Sequence, residues 1–207
     1  PAINGYEIVQ MGPKYVNGIL VVNKRYAIPK DFKSEDSGLA ASALKELQAA
    51  ALVDGFNIEL LSGYRSYSRQ KTIYEGKVAN RGYDSADRYS ARPGHSEHQT
   101  GYAVDVYDGE IDYTKFEKTK EYKWMMKHAH EYGFILRYPK DKEYITGYMF
   151  ESWHYRYVGE KAAKIIYDND ITILQNRFVS PLSNIGTDFY KYYLTDTITV
   201  DGEQSRD

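Results

Sequence analysis

The sequence predicts an α+β domain rather than a doubly wound sheet. Helical periods stand before and after the strand-like runs instead of alternating strictly with them, and the late strands are hairpin-like. A length of 207 residues accommodates one medium domain or two very small ones, and no repeat, low-complexity tract or obvious linker divides it.

Each element follows from local pattern. Residues 1–17 are mixed, contain Gly5, Gly12 and Pro13, and read as an irregular N-terminal arm. Residues 18–23 form a short β-branched run that predicts a strand. Leu39, Ala43, Leu44, Leu47, Ala50 and Ala51 recur at helical spacing, with Ser37 as N-cap and Gly55 as the stop. Residues 56–62 predict a strand and 67–78 a second helix. Residues 80–99, rich in Gly, Ser, Asp and Arg around Pro93-Gly94, predict a long structured loop of the kind that carries function. Residues 102–107 return to a strand pattern. A third helix is expected over 116–132, ended by Gly133, then a strand at 134–138, a polar turn at 139–147, an alternating aromatic strand at 150–158 and a short helix at 160–168. The domain is thus expected over 18–170, with 171–207 as a tail or small appended element.

Composition removes several function classes. Hydrophobic residues at 42% and charged residues at 27% exclude a wholly disordered chain. Lys plus Arg number 27 against 29 for Asp plus Glu, a net charge of -2, so nothing electrostatic argues for nucleic acid or an anionic membrane surface. The absence of cysteine removes disulfides, Cys-zinc sites, iron–sulfur clusters and a Cys nucleophile. No apolar run approaches a membrane span, and no membrane contact by this segment is expected. The first residue is Pro1, which leads to the expectation that an upstream signal or anchor has been removed. The 22 tyrosines suit either half-buried strand positions or wet surfaces that grip a polymer.

Chemistry concentrates in two segments. His98 and Asp105 lie in the run 96–105, and Glu151 and His154 in Glu151-Ser152-Trp153-His154. Two imidazoles and a carboxylate from separate elements match an open zinc site whose fourth position takes water, with Glu151 as a nearby carboxylate to accept its proton. The same spacing also fits two hydrogen-bonded histidines and a capping aspartate, and both readings stand at this level. In a regular strand Glu151 and His154 would face opposite ways, so a shared site requires Glu151 to precede the regular strand or a bulge to intervene.

Read together, Ser62-Gly63-Tyr64-Arg65-Ser66, Ser96-x-His98-x-x-Gly101-x-Ala103-x-Asp105 and Glu151-x-Trp153-His154 resemble the zinc-dependent D-alanyl-D-alanine carboxypeptidase family of VanY type, and within it the L,D-carboxypeptidases called LdcB or DacB. The resemblance spans about residues 18–170. It implies a single compact domain with a central antiparallel sheet carrying one zinc ion, flanked by helices. It implies His98, Asp105 and His154 as zinc ligands and Glu151 as the base that activates the zinc-bound water and later protonates the leaving amine. Arg65 matches the cation that holds substrate and stabilises the tetrahedral intermediate. Ser96 and Gln70 match positions near the substrate's carboxylate and backbone, and Tyr74, Tyr138 and Trp153 are candidate pocket walls.

The implied activity is removal of the C-terminal D-alanine from a peptidoglycan stem tetrapeptide by an extracytoplasmic, anchored monomer. D,D-carboxypeptidase or dipeptidase action, or a non-catalytic zinc-containing cell-wall module, are the alternatives; a tyrosine-rich carbohydrate-binding domain without metal is a further one. Among the other residues, His95 is expected to line the site loop, Glu97 and Asp108 to be solvated or capping, His128 and His130 to take surface or packing roles on the third helix, and Arg92 to be an exposed loop cation.

Overall fold

The computed structural model describes residues 13–173, apart from 35 and 37, together with the backbone of β1 (Ala2–Ile3) and β2 (Tyr6–Glu7), which pair antiparallel. The proposed Ser37 cap and the chain beyond residue 173 lie outside the described residues. The end of the expected irregular arm is a strand: β3 (Lys14–Val16) pairs with β4 (Ile19–Val21) across Asn17-Gly18, both at positive φ. A two-residue turn with positive φ at each position matches the twist of a hairpin.

The first helix, α1 (Leu39–Val53), buries Ala40, Leu44, Leu47 and Ala51, the i, i+4, i+7, i+11 stripe of an amphipathic helix. It gives way at Gly55, whose φ of +83° suits the residue that ends a helix. A four-stranded antiparallel sheet follows. Its strands are β5 (Glu59–Ser62), β6 (Ala103–Tyr107), β7 (Phe134–Leu136) and β8 (His154–Tyr157), in the order β5-β6-β8-β7.

Alternation along these strands divides the sheet into two unlike faces. Val104 and Val106 of β6, Tyr155 of β8 and Phe134 of β7 join the stripe of α1 and residues Trp124 and Met125 in the main core. Asp105, His154 and Arg156 occupy the alternate positions, so the opposite face is charged where it is buried. Beside it, Val16, Ile19 and Val21 of the first hairpin, Ile135 of β7, and Ala163 and Ile166 of α6 (Glu160–Asp168) form a second apolar cluster.

Five further sequence expectations change. The second helix, α2 (Tyr67–Arg81), runs a turn further than its pattern, and the 80–99 loop contains α3 (Tyr83–Tyr89). Gly82, at φ +76°, separates the two helices. The continuous helix expected over 116–132 is broken: a 3-10 turn at Tyr113–Lys118, then α4 (Lys120–His128), then a 3-10 turn at Ala129–Tyr132. Thr119 makes the first break, because its extended backbone leaves its hydroxyl free to accept from Tyr122 N at 3.0 Å as an N-cap. The polar turn contains the single-turn helix α5 (Glu143–Thr146). Tyrosines lie on strands only at Tyr6, Tyr15, Tyr107, Tyr155 and Tyr157 among the described residues, so strand packing does not explain their abundance.

Gly133 ties three elements together. At φ +79° it ends the third helical segment, and its carbonyl accepts from Val158 N at 2.8 Å. An added Cβ would meet Tyr157 Cε2 at 2.6 Å and Gly159 C at 3.1 Å. Gly133→Ala is therefore expected to destabilise the fold by more than about 1 kcal/mol, lowering the melting temperature by at least about 2–4 °C. An unchanged melting curve for the metal-free variant would refute this role.

Candidate active site

Asp105 and His154 are directly opposed across β6 and β8, and Ser62 opposes Asp105 across β5 and β6. A register irregularity between Leu60 and Ser62 turns the end of β5 toward this point. His98 comes from the 3-10 turn Glu97–Thr100, which Gly101 reverses into β6 at φ +78°. His98, Asp105 and His154 are all buried, and each offers a ligand atom within 4.8 Å of the others'. His98 Nε2 lies 3.2 Å from Asp105 Oδ2, and His154 Nδ1 lies 2.9 Å from Asp105 Oδ1.

The donor set fits a cation. His98 Nδ1 meets the Gly63 carbonyl at 2.7 Å. A carbonyl can only accept, so Nδ1 carries a proton and Nε2 is the atom left to face the carboxylate. Two acceptors at that distance repel unless a proton or a metal ion stands between them. Burial would raise the Asp105 carboxyl, but His98 and His154 outweigh it and hold it well below the usual carboxylate range. Burial likewise opposes charge on His154, yet Asp105 and Glu97 push it up to about 9. The cluster is thus built to hold positive charge.

Glu151 lies before β8, with its N–H donating to the Tyr138 carbonyl at 3.1 Å. Residues 150–153 are outside the strand, so the facing conflict does not arise: Glu151 Oε2 stands 3.9 Å from His154 Nδ1. Burial is the main reason its carboxyl is raised to about 7, with His154 pulling it down and Asp105 adding to the rise.

Arg65 closes the other side. It donates to Ser62 Oγ and to Gln70 Oε1, each at 2.9 Å, and its Nη2 is 3.5 Å from Asp105 Oδ2. Gln70 in turn donates to the Ala91 carbonyl at 2.6 Å. Both ends of the Gln70 amide are engaged by the protein, which suits a side chain that holds Arg65 in place.

These groups line a cavity of about 370 Å³ that also includes Ser96, Tyr138 and Trp153. Tyr138 is buried and stacks on His154 with ring centroids 4.9 Å apart. Tyr74 is not brought to the cavity although it shares the face of Gln70: its hydroxyl donates to Asp87 Oδ1 at 2.7 Å. Other neighbours depart from expectation as well. His95 is turned away to the Asn23 carbonyl at 2.7 Å. Arg92 pairs with Asp87 rather than standing free. Glu97 is neither solvated nor capping; it is fully buried with Arg137 and Arg156. Asp108 does cap, accepting from the N–H groups of Glu110 and Ile111.

Sequence reasoning missed Lys77, whose ammonium belongs to the same cavity and is pushed down by burial. A signal existed, since Lys77 follows Gln70 by two helical turns and shares its face. Tyr89, Tyr113 and Tyr148 also line the wall, and only the third dimension brings them there.

Residues 36–160 match the VanY family, described as D-alanyl-D-alanine carboxypeptidase. A putative carboxypeptidase, YodJ of Bacillus subtilis, is 40% identical over 193 residues, covering 83% of this chain and 70% of its own. Among solved structures, the LdcB LD-carboxypeptidase superposes with a TM-score of 0.70 at 39% identity, covering 79% of this chain and 92% of its own. The vancomycin resistance D,D-pentapeptidase VanY in complex with Zn(II) gives 0.66 at 36% identity, with 75% and 96% covered.

The raised Glu151 carboxyl has a consequence for stability. Its folded value of about 7 exceeds the unfolded 4.5, so the folded state binds the proton more tightly. Stability is favoured below pH 4.5 and is lost as pH rises toward 7. In metal-free protein, Glu151→Gln is expected to raise stability by about 1–3 kcal/mol at pH 8 and by little at pH 4. Denaturant titrations of both proteins at the two pH values check this; an equal effect at both would contradict it.

Proposed function

The chain belongs to the VanY family of D-alanyl-D-alanine carboxypeptidases, and from that premise we propose that it is a zinc L,D-carboxypeptidase releasing the C-terminal D-alanine of peptidoglycan stem tetrapeptides. The observation that carries the reading is the placing of one carboxylate, Glu151, and one guanidinium, Arg65, on either side of the buried His98–Asp105–His154 group. The higher identity to LdcB than to the D,D-pentapeptidase supports the L,D preference.

His98, Asp105 and His154 would hold a zinc ion, which when bound would supply Lewis acidity for the scissile carbonyl and lower the pKa of water toward about 7. Glu151 accepts the proton of the attacking water and delivers it to the nitrogen of the departing D-alanine, so one water is consumed and one carboxylate and one amine are released. A carboxyl raised to about 7 suits both halves of that exchange at neutral pH. Arg65 is pinned by Ser62 and Gln70, so its charge is already in place for the oxyanion that forms at the carbonyl or for the substrate's terminal carboxylate. Lys77 adds a second cation for the remaining anion, and Ser96, Tyr138 and Trp153 shape the wall. Tyr138 also holds the His154 ring by stacking.

This substrate class lies outside the cytoplasmic membrane, which is where we place the reaction. Among the described residues no helix is long and apolar enough to cross a membrane.

The testing experiment is mass spectrometry of stem tetrapeptide and pentapeptide incubated with the protein, with and without a zinc chelator. Chelator-sensitive loss of D-alanine from the tetrapeptide is expected. Loss from the pentapeptide alone moves the assignment to D,D-cleavage, and no cleavage by zinc-loaded protein favours a non-catalytic module. Glu151→Ala should retain zinc while turnover falls by about 10²–10⁴-fold, and Arg65→Ala should lower kcat/KM by about 10²–10³-fold. Wild-type kinetics in either variant would remove that residue from the mechanism.

A further inference from the structure

A second chamber adjoins the reaction cavity. It encloses about 240 Å³ and is lined by Lys24, Asp87, Ser90, Arg92, His95 and Tyr148. Ser90 and Tyr148 line both spaces, so the two share a wall. The chemistry proposed above uses neither Lys24 nor Arg92.

Each acid near this chamber already has its own cation. Asp87 Oδ1 accepts from the Tyr74 hydroxyl at 2.7 Å and from Arg92 Nε at 3.0 Å, and its Oδ2 pairs with Arg92 Nη2. Glu143 pairs with Arg88 at 3.2 Å. These two acids and two arginines are the charges that act on Lys24, and they cancel. His95 adds none: its Nδ1 meets the Asn23 carbonyl at 2.7 Å, and burial pushes the ring toward its neutral form. Lys24 is left over as an unmatched positive charge, with no hydrogen bond or ion pair among the described residues.

Lys24 is exposed but held. Its stem lies against Gly147, where an added Cβ would meet Lys24 Cδ at 3.3 Å, and its ammonium stands 4.7 Å over the Tyr148 ring. The hydroxyl of that same tyrosine is buried without a partner. Buried polar groups are paired as a rule. An ammonium only donates, and a guanidinium carries five N–H groups, more than Asp87 takes up. What this corner lacks is acceptors carrying negative charge.

We propose that the chamber is a second binding site, for an anionic group with two or more oxygen acceptors, a carboxylate or a phosphate, held by Lys24 and Arg92 beside the Tyr148 hydroxyl. That chemistry has two possible sources. One is a carboxylate of the peptide seated in the adjoining reaction cavity, which rests on the carboxypeptidase reading; the other is a free oxyanion, which does not.

The test begins with metal-free protein titrated with inorganic phosphate and with acetate, followed by nitrogen-15 correlation spectra. Saturable shifts are expected at residues 23–25, 90–95 and 148, with affinity about tenfold or more weaker in Lys24→Met. Methionine keeps a stem against Gly147, and melting curves of both proteins are run alongside. Lys77→Met is the control for the reaction cavity and should leave these shifts in place. Shifts that never saturate, that persist in Lys24→Met, or that vanish only in Lys77→Met overturn the proposal. Should Lys24→Met fail to fold, wild-type shifts confined to the reaction cavity overturn it by themselves.

Kinetics of the zinc-loaded protein with stem tetrapeptide then separate the sources. A KM raised about tenfold in Lys24→Met at unchanged kcat identifies a carboxylate of the substrate; an unchanged KM, with phosphate binding lost, identifies a free oxyanion. Protein that binds phosphate at Lys24 but cleaves neither peptide loses the carboxypeptidase reading and keeps this site. Active protein whose anion binding ignores Lys24 loses only this site.

Discussion

The registration of β6 against β8 is the constraint from which the rest of the site follows. With Asp105 opposite His154, one carboxylate and one imidazole share a face, and Val104 and Tyr155 share the other. Side chains alternate with a period of two, so a slip of β8 by one residue would send His154 into the apolar core and Tyr155 into the cleft, away from Asp105. Burial of Val104, Val106, Phe134 and Tyr155 against α1 and α4 therefore does two jobs at once: it stabilises the domain and it keeps the functional pair together.

The charged face is assembled in layers. Nearest the cleft are Asp105, Glu151 and Arg65; behind His154 stand Glu97, Arg137 and Arg156, all fully buried. Buried ion pairs are weak evidence for stability, because desolvation consumes much of their attraction. Their retention here makes more sense as geometry: Arg156 donates to the Leu20 carbonyl at 2.8 Å as well as facing Glu97, so the group links the first hairpin, the His98 turn and the central strands. Gln70 does the corresponding work on the other side, holding Arg65 from α2.

How much of this was legible in the sequence varies with the kind of signal. The stripe of α1, the strand at 103–107 and the helix at 160–168 carry strong periodicity, and each emerges close to its expected bounds. The helix at 83–89 was hidden because it buries only Ala86 and its composition is that of a loop. The break at Thr119 is a capping event inside a run whose hydrophobic period continues. For the site, the three motif blocks placed His98, Asp105, His154, Glu151 and Arg65 around one cavity. A shared helix face does not decide which side chains reach the cleft: Gln70 and Lys77 line it, while Tyr74 on the same face is drawn to Asp87. Glu97 was misjudged for a different reason: a glutamate beside a ligand histidine reads as solvated until two distant arginines are known to converge on it.

Glu151 and His154 are three residues apart but rest on different kinds of backbone. The histidine belongs to a paired strand and is locked by the ladder; the glutamate belongs to the approach at residues 150–153, outside that strand, held at its own N–H by the Tyr138 carbonyl. Evolution can therefore lengthen, shorten or reshape that approach and lose Glu151, the proposed base, while the His98–Asp105–His154 group stays intact. On the proposed mechanism, hydrolysis and ion retention are separately heritable in such a scaffold, which gives a natural route from an enzyme to a descendant that only binds.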